Sequence, residues 1–357
     1  MTSAIRCGLI SLACLLCHAA GLSQHPKPNC NPLTMYHFVY FQVPGAAVTN
    51  PSSINDSLAV TGSYSSADGL LTGGFVRTAY GQLTTFDVGQ VYTGELQINA
   101  AGEIAGVYQD VPGEGRGFIR SANGSITKFN PGGTGGFTDV RGINSKGTVV
   151  GIYSTTNSTP PAQAYVRASD GALTPFTIPG SDYVFPWGIS DLGEVTGVYY
   201  YDGDTQVGGF VRSPGGTITT FKYATGIVPL AINRAGTIIG WHAPPVGADQ
   251  GFVRRPDGTI VPFSMPGMGA LSTLFMGLNE GGFITGSYTP IATGPPGPGL
   301  EESMYGFIRS PQGVVSSFAV PGADSTTSAA INDSNVVTGW SDSQTNPGGF
   351  LRIPDVP

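Results

Sequence analysis

Residues 231–263 read AINRAGTIIGWHAPPVGADQGFVRRPDGTIVPF, and this stretch contains every element of the pattern that decides the fold. It begins with the pair Ile232-Asn233, and a short turn leads into the β-branched run Thr237–Gly240. The triplet Phe252-Val253-Arg254 follows, and a second turn with glycine leads to Ile260 and Phe263. Short alternating apolar segments separated by glycine turns are typical of antiparallel strands joined by tight hairpins. The stretch therefore predicts four short β-strands.

The same pattern recurs seven times, with a spacing of about 45 residues that identifies a structural repeat. The triplet of an aromatic, an apolar residue and arginine ends at Arg77, Arg120, Arg167, Arg212, Arg254, Arg309 and Arg352. The Ile-Asn pair, with Ser or Leu substituted once each, ends at Asn55, Asn99, Asn144, Ser190, Asn233, Asn279 and Asn332. A glycine followed closely by an aromatic residue recurs at Tyr64, Tyr108, Tyr153, Tyr199, Trp241, Tyr288 and Trp340. Because no window shows a helical period longer than two turns, the sequence predicts an all-β chain.

Seven four-stranded units match the arithmetic of a seven-bladed β-propeller, with an open β-solenoid as the alternative. The ends of the chain favour the propeller. The seventh copy stops at Arg352 without its fourth strand, whereas residues 35–43 carry Phe38 and Phe41 at the spacing of that strand. We therefore expect residues 35–43 to form the outer strand of the last blade, which closes residues 35–352 into a single domain and removes the open sheet edges.

The composition excludes several classes of protein. The chain has 357 residues with 54 Gly and 28 Pro, and only 11% of it is charged, about half the share usual in soluble domains. The excess of glycine and proline is explained by the many turns that join short strands. A formal charge of −7 leaves no basic surface for a phosphate backbone, so we expect no nucleic-acid partner.

The N-terminus has the charged, apolar and small-residue order of a secretory signal over residues 1–23, followed by a Pro-rich segment over 24–34. Its apolar run is too short to span a bilayer, and no later segment reaches that length, so no transmembrane segment is expected. Three of the four cysteines lie in the signal, which leaves Cys30 alone and excludes an internal disulfide. An alternative is a lipoprotein acylated at Cys14 or Cys17. The chain is predicted to be secreted, to the exterior or the periplasm, and to end in a short tail over 353–357.

The repeated segment resembles the HAF-type extracellular repeats of bacterial secreted proteins. The matching residues are Ala231-Ile232-Asn233-Arg234-Ala235-Gly236-Thr237-Ile238-Ile239-Gly240, and residues 143–151 repeat them as INSKGTVVG. The resemblance covers about residues 35–352. It departs from the family in the third strand, where this chain has arginine in all seven copies and the family commonly has tryptophan. The resemblance implies secretion and a repeated β-fold, and it implies no reaction.

The seven arginines of the triplets account for much of the basic charge, since the chain has only 16 Lys and Arg residues. Phe and Arg at positions i and i+2 share one face of a strand, and in a propeller both faces are covered by neighbouring blades. We expect each guanidinium to stack on an aromatic ring or bind a carbonyl of the neighbouring blade. A ring of anion-binding arginines is the alternative, which the net charge of −7 opposes.

The segments that vary between copies are better candidates for function, because binding residues concentrate on loops of rigid scaffolds. The loops between the second and third strands and those between blades lie on one face, and one region of it is dense in aromatic and polar side chains. An aromatic platform flanked by carboxylates suits carbohydrate stacking, whereas a loop packing on its own rim is the alternative. The candidate ligand-binding residues are Tyr183, Phe185, Trp187, Tyr200, Tyr201, Asp202, Asp204 and His242.

Patterns for catalysis are weak. No histidine pair has metal-ligand spacing, no catalytic motif occurs, and Asp202-Gly203-Asp204 lacks the later Glu of a calcium loop, so no metal and no cofactor are expected. We interpret the chain as a non-catalytic, monomeric binding module for a glycan or a protein. The alternatives are a polysaccharide lyase or glycoside hydrolase that uses carboxylates at the channel mouth, and a purely structural envelope protein.

Overall fold

The computed structural model describes residues 35–69, 72–155, 162–201, 208–223, 226–244, 247–266, 270–290, 303–342 and 348–355. These residues contain 29 β-strands and no helix, which confirms the all-β class. No described segment is a helix long and apolar enough to cross a bilayer. The predicted signal over 1–23, the Pro-rich segment over 24–34 and Cys30 lie outside the described residues.

The strands follow the seven sequence repeats, which we number in chain order. β1 (Tyr36–Phe41) precedes them. Repeats 1 and 2 contain β2 (Ala46–Ile54), β3 (Val60–Ser66), β4 (Thr72–Arg77), β5 (Leu83–Phe86), β6 (Tyr92–Ile98), β7 (Ile104–Gln109), β8 (Arg116–Arg120) and β9 (Ile126–Phe129). Repeat 3 contains β10 (Phe137–Thr138), β11 (Gly142–Ile143), β12 (Val149–Ser154), β13 (Gln163–Arg167) and β14 (Leu173–Phe176). Repeat 4 contains β15 (Tyr183–Ile189), β16 (Val195–Tyr200), β17 (Gly208–Arg212) and β18 (Ile218–Phe221).

The remaining repeats have the same order of strands. Repeat 5 contains β19 (Ile227–Ile232), β20 (Ile238–His242), β21 (Gln250–Arg254) and β22 (Ile260–Phe263). Repeat 6 contains β23 (Ala270–Leu278), β24 (Ile284–Pro290), β25 (Tyr305–Arg309) and β26 (Val315–Phe318). Repeat 7 contains β27 (Thr326–Ile331), β28 (Val337–Ser341) and β29 (Gly348–Pro354).

Within each of repeats 1 to 6, consecutive strands pair antiparallel into a meander of four strands, and in repeat 3 the first of them is interrupted into β10 and β11. A single parallel bridge between Thr72 and Tyr92 joins the sheets of repeats 1 and 2. Repeat 7 supplies three strands, and β1 supplies the fourth by pairing with β29 from Tyr36 opposite Pro354 to Phe41 opposite Gly349. This is the pairing that the sequence predicts for residues 35–43. It extends β29 two residues into the predicted tail, because Tyr36 and His37 give Ile353 and Pro354 strand partners.

The glycine of the second strand has a steric reason. A Cβ added to Gly240 would collide with the carbonyl oxygen of Val228, which lies on the bulged first strand of the same repeat. The corresponding glycines of repeats 1 and 4, Gly62 and Gly197, would meet the carbonyls of Asn50 and Phe185 in the same way. Only glycine allows the second strand to approach the bulge so closely.

The core lies between neighbouring sheets. The aromatic residue of every triplet has 0% exposed surface, as recorded for Phe75, Phe118, Tyr165, Phe210, Phe252, Phe307 and Phe350. The arginine two residues later stacks on an aromatic ring of the preceding repeat's fourth strand, with its guanidinium carbon 5.0 Å from Phe86 for Arg120 and 4.6 Å from Phe221 for Arg254. Their hydrogen bonds go to the carbonyl of the next residue in their own chain segment, as from Arg120 to Ser121, rather than to a neighbouring repeat.

Contacts between repeats also follow the Ile-Asn pairs. The side chain of Asn99 donates to the carbonyl of Asn144 in the next repeat at 3.0 Å, and Asn233 donates to that of Asn279 at 3.2 Å. The last repeat makes both kinds of contact with the first. Asn332 donates to the carbonyl of Asn55 at 3.1 Å, and Arg77 stacks at 5.2 Å on Phe41, the residue that ends β1.

Candidate functional site

A cavity of about 560 Å³ is lined by the first-strand segment of all seven repeats. In most repeats this segment carries a β-bulge, which directs an extra side chain toward the cavity, as between Pro186 and Gly188. The residue two before the Ile-Asn pair differs in every repeat except for one recurring leucine. These residues are Ser52, Leu96, Arg141, Trp187, Leu230, Met276 and Ala329. The side chains that line the cavity therefore differ in type from one repeat to the next.

Repeat 2 departs from this pattern at its bulge. Leu96 is buried in the core with 1% of its surface exposed, and the neighbouring Glu95 faces the cavity instead. The bulge spans Gly94 to Gln97, and Glu95 has a φ of 54°. A left-handed backbone costs a non-glycine residue free energy, and such residues concentrate at functional sites. Glu95 therefore is the first residue of a candidate site.

Three residues from the next two repeats form a group with Glu95: Asp139 and Arg141 interact with its carboxyl group, and Trp187 contacts Arg141. Asp139 and Arg141 lie in the gap between β10 and β11, and Trp187 lies at the bulge of β15. Arg141 Nη2 is 2.5 Å from Asp139 Oδ2, and its guanidinium carbon is 4.5 Å from the Trp187 ring. We call Glu95, Asp139, Arg141 and Trp187 the polar corner. Tyr92, three residues before Glu95, adjoins it.

Two polar atoms of the polar corner are buried and have no hydrogen-bond partner among the described residues. They are Asp139 Oδ1 and Trp187 Nε1. Buried polar atoms are normally satisfied, so each unpaired one calls for a partner. One partner for Asp139 is at hand, since a protonated Glu95 can donate to it. Trp187 Nε1 has no such partner among the described residues.

Electrostatics support a shared proton between the two carboxyl groups. Glu95 is exposed to the cavity, and its partial burial there raises its pKa to about 8. The hydrogen bond to Asp139 and the negative charge of Asp139 act in the same direction, and Arg141 opposes them. Burial also raises the pKa of Tyr92, with the charges of Glu95 and Asp139 adding to the effect. At neutral pH Glu95 therefore holds a proton, as expected for two neighbouring carboxyls that cannot both ionise easily.

The opposite wall of the cavity is apolar. Repeats 5 to 7 contribute Leu230, Met276, Leu278, Ala329 and Ala330, and Met276 is exposed over 42% of its surface. Ligand sites commonly combine an apolar lining with a few convergent polar groups. The cavity has that division, because its charged groups come from repeats 2 and 3, whereas Leu230, Met276 and Leu278 come from repeats 5 and 6.

Carboxylates also occur where the first strands end. The backbone N–H of Ser145 donates to Asp191 at 2.8 Å, that of Glu280 to Asp333 at 2.8 Å, and that of Asp333 to Asp56 at 2.9 Å. We call Asp56, Asp191, Glu280 and Asp333 the acidic turns. Burial raises the pKa of Glu280. The described residues contain no group of three or more side chains arranged to hold a metal ion.

The structure separates the residues that the sequence predicted as one aromatic platform. Tyr183 and Phe185 stack with ring centroids 6.1 Å apart, and Tyr200 meets Phe185 edge-on at 5.9 Å. Tyr201 packs edge-on against Tyr199 at 5.5 Å. The first three are half-buried and lie on one face of β15 and β16, because Tyr183 and Tyr200 are directly paired.

The other predicted residues lie elsewhere. Trp187 belongs to the cavity wall and stacks with Arg141, because the bulge after Pro186 turns it away from the alternation of Tyr183 and Phe185. His242 is 3% exposed and packs edge-on against Tyr223 at 5.0 Å, and burial lowers its pKa. Asp202 and Asp204 lie outside the described residues.

Sequence reasoning missed Glu95, Asp139 and Arg141. The signal was present at the position two before the Ile-Asn pair, where the seven copies carry six different residue types. The loops vary more visibly between copies than the first strand does, and for that reason the loops attracted the functional prediction. Differences between copies of the first strand identify Arg141 and Trp187 directly. They do not identify Glu95, which faces the cavity only because Leu96 is buried in repeat 2.

Comparison with known proteins is informative for the fold. No known family model matches the sequence, and no functionally characterised curated protein matches it. Among solved structures, the chain is similar to a catalytically inactive variant of virginiamycin B lyase from Staphylococcus aureus with Quinupristin. That match has a TM-score of 0.57 at 13% identity and covers 90% of this chain and 100% of the lyase chain. A streptogramin B lyase gives 0.54 at 11% identity, covering 90% and 98%.

An acylaminoacyl peptidase from Pyrococcus horikoshii gives a TM-score of 0.55 at 11% identity, with 86% of this chain matching 51% of the peptidase. Two of these proteins are named as lyases and the third as a peptidase, so the feature that all three share with this chain is architecture. These likenesses show that the described chain has a β-propeller fold.

Proposed function

We propose that the chain is a secreted, closed ring of seven blades that acts as a binding module and is built from repeats that resemble the HAF type. The contacts between its ends support closure. β1 completes the sheet of repeat 7, Asn332 donates to Asn55, and Arg77 stacks on Phe41 as other arginines do on their preceding repeats. The polarity of residues 1–23 supports secretion. N-terminal sequencing of the exported chain tests secretion: the chain should begin at Leu22 if the signal is cleaved after Gly21, or at Gln24 if it is cleaved after Ser23.

The ligand site of this module is the cavity, and the ligand is a small molecule. One observation carries this proposal: a polar corner, in which Trp187 Nε1 is buried without a partner among the described residues, faces an apolar wall across a cavity of about 560 Å³. That volume is within the usual range of small-molecule pockets of about 300–1,000 Å³. Trp187 offers a ring for stacking, Glu95 offers a hydrogen bond, and Met276 and Leu278 receive an apolar body.

Thermal-shift screening of small organic molecules, followed by titration, tests the cavity. Ligands that raise the Tm of the wild type should lose that effect in Trp187→Ala. Trp340→Ala is the matched control, because Trp340 is 37% exposed and does not line the cavity. If Trp187→Ala binds the same ligands with unchanged affinity while Trp340→Ala weakens them, the cavity is not the site.

The half-buried cluster of Tyr183, Phe185 and Tyr200 favours a second binding site, for a glycan. Its stacked and edge-on rings resemble the apolar platforms on which sugar rings pack. A glycan array tests this site with Tyr183→Ala and Tyr200→Ala. Loss of a glycan signal in these variants, with the signal retained in Trp187→Ala, assigns the glycan to the cluster. No glycan signal in the wild type removes this site.

The carboxyl pair favours an enzymatic alternative for the cavity. A protonated Glu95 beside Asp139 is the arrangement that a general acid requires, and its pKa of about 8 keeps it protonated at neutral pH. A hydrolase or lyase acting here should lose turnover on its polysaccharide in both Glu95→Gln and Asp139→Asn. Turnover that survives both substitutions excludes the pair as the catalytic groups.

A further inference from the structure

The charged groups of the cavity are unequal in number. The polar corner has two carboxyl groups and one guanidinium, and the guanidinium of Arg141 is already paired with Asp139 and stacked on Trp187. Glu95 therefore has no cationic partner of its own among the described residues. An anionic ligand would have to compete with Asp139 for Arg141, whereas a cationic ligand finds Glu95 unpaired.

The acidic turns add to this asymmetry. They place four carboxylates where the first strands end, and the one arginine among these turns, Arg234, is paired with Asp191 at 2.9 Å. The whole chain carries a formal charge of −7. Carboxylates at the wall and end of a low-dielectric channel focus a negative potential into it and raise the local concentration of cations.

From these observations we propose that the ligand of the cavity is an organic ammonium ion with an apolar body. This inference rests on the proposed small-molecule function of the cavity. The ammonium nitrogen lies at Glu95, where its N–H groups replace the proton that Glu95 donates to Asp139. The apolar body lies against Leu230, Met276 and Leu278 on the opposite wall.

Binding of such an ion releases a proton. The ligand arrives as a cation, the O–H bond of Glu95 breaks, and the proton leaves to solvent, so that the complex holds an ionised Glu95 beside the ammonium. The groups that face Glu95 are Asp139, Arg141 and Tyr92. Tyr92 stays protonated, since its pKa is raised from 10.0, so Glu95 is the group that titrates below pH 8.

The test uses three probes of similar shape: phenethylamine, 2-phenylethanol and phenylacetate, measured by calorimetry on the full chain. Phenethylamine should bind at least about tenfold more tightly than the other two at pH 8. Its affinity should rise about 50-fold between pH 6 and pH 8, because the competing proton leaves Glu95 over that range. Buffers of different ionisation enthalpy should reveal release of about one proton near pH 6.

Two variants assign the effect. Glu95→Gln should weaken phenethylamine binding at pH 8 and make it independent of pH between 6 and 8. Glu114→Gln removes one carboxylate that pairs with Arg116 outside the cavity, and it should leave both the affinity and its pH dependence unchanged.

The outcomes separate this inference from the proposed function. Binding of 2-phenylethanol or phenylacetate as tightly as phenethylamine, with loss in Trp187→Ala, overturns the ammonium preference and leaves the cavity as a ligand site. Absence of phenethylamine binding by the folded wild type also overturns the preference, while the Trp187-dependent screen still decides the cavity. Phenethylamine binding that Glu95→Gln leaves unchanged shows that Glu95 does not hold the nitrogen.

Discussion

The contacts between repeats and the wall of the cavity obey opposite rules. Between repeats, the triplet arginine stacks on an aromatic ring of the preceding fourth strand seven times, with distances from 4.6 Å for Arg254 on Phe221 to 5.4 Å for Arg309 on Phe263. At the cavity, the residue two before the Ile-Asn pair changes from repeat to repeat and is serine, arginine, tryptophan, leucine, methionine or alanine. The repeated chemistry positions the sheets, and the chemistry that occurs once is free to serve a ligand.

The largest test of this division is removal of residues 24–43. This deletes β1, leaves β29 as an unpaired edge and exposes Phe350, which packs edge-on against Phe38 at 5.5 Å. We expect the Tm to fall by about 10 °C, because a six-residue strand and several buried aromatic contacts are lost together. Removal of residues 24–34 alone is the control and should leave the Tm within about 1 °C. An unchanged melting profile after the longer deletion refutes closure by β1.

The arginines should differ in their contribution to stability according to burial. Arg352 is 2% exposed and lies over both Tyr36 and Phe318, and burial lowers its pKa to about 10. Arg352→Ala should cost about 3 kcal/mol of unfolding free energy, since it leaves a cavity beside two rings. Arg254→Ala, at a half-buried position, should cost about 1 kcal/mol.

Urea unfolding measures both values, and Arg255→Ala at the adjacent exposed residue is the control. Equal losses for Arg352 and Arg254 would show that stacking alone, rather than burial, determines the contribution of these side chains.

The repeat explains how much of this molecule was predictable from sequence. The triplets, the Ile-Asn pairs and the glycine turns occur in every copy, so averaging over copies predicted the strands and the pairing of β1 with β29. The polar corner occurs once, and its geometry depends on bulges that no single residue type announces. Trp187 was found by its type and assigned to the wrong neighbours, because alternation along β15 places it with Tyr183 unless the bulge is known. Glu95 was missed, because a glutamate with φ near 54° has no signature in one sequence.

The pH dependence of stability tests the polar corner without any ligand. The pKa of Glu95 is raised in the folded chain from an ordinary 4.5 to about 8, so the folded state binds more protons between these values. The resulting stability is fully present below about pH 4.5 and is lost as pH rises through 8. Relative to Glu95→Gln, the wild type should therefore lose about 1 kcal/mol between pH 5 and pH 8, since the carboxyl faces the cavity and solvent screens its charge. Glu114→Gln should follow the wild type, and parallel curves for wild type and Glu95→Gln would contradict the raised pKa.

The smallest expected effect concerns the one gap among the asparagine contacts. Asn144 donates from its side chain to the carbonyl of Ser190 at 3.1 Å, but Ser190 is too short to reach the carbonyl of Asn233 in the following repeat. Ser190→Asn should supply that hydrogen bond and raise the free energy of unfolding by about 0.5 kcal/mol, within the usual range for one intramolecular hydrogen bond. The reverse substitution at the preceding copy, Asn144→Ser, should lower it by about 1 kcal/mol, because the carbonyl of Ser190 then loses its donor in a buried site. Urea unfolding of the two variants at one pH compares them. If Ser190→Asn destabilises the chain, the surroundings of Ser190 do not accommodate an asparagine. Repeat 4, which also supplies Trp187, then differs from the other repeats at a second position, and this one belongs to the contacts between repeats.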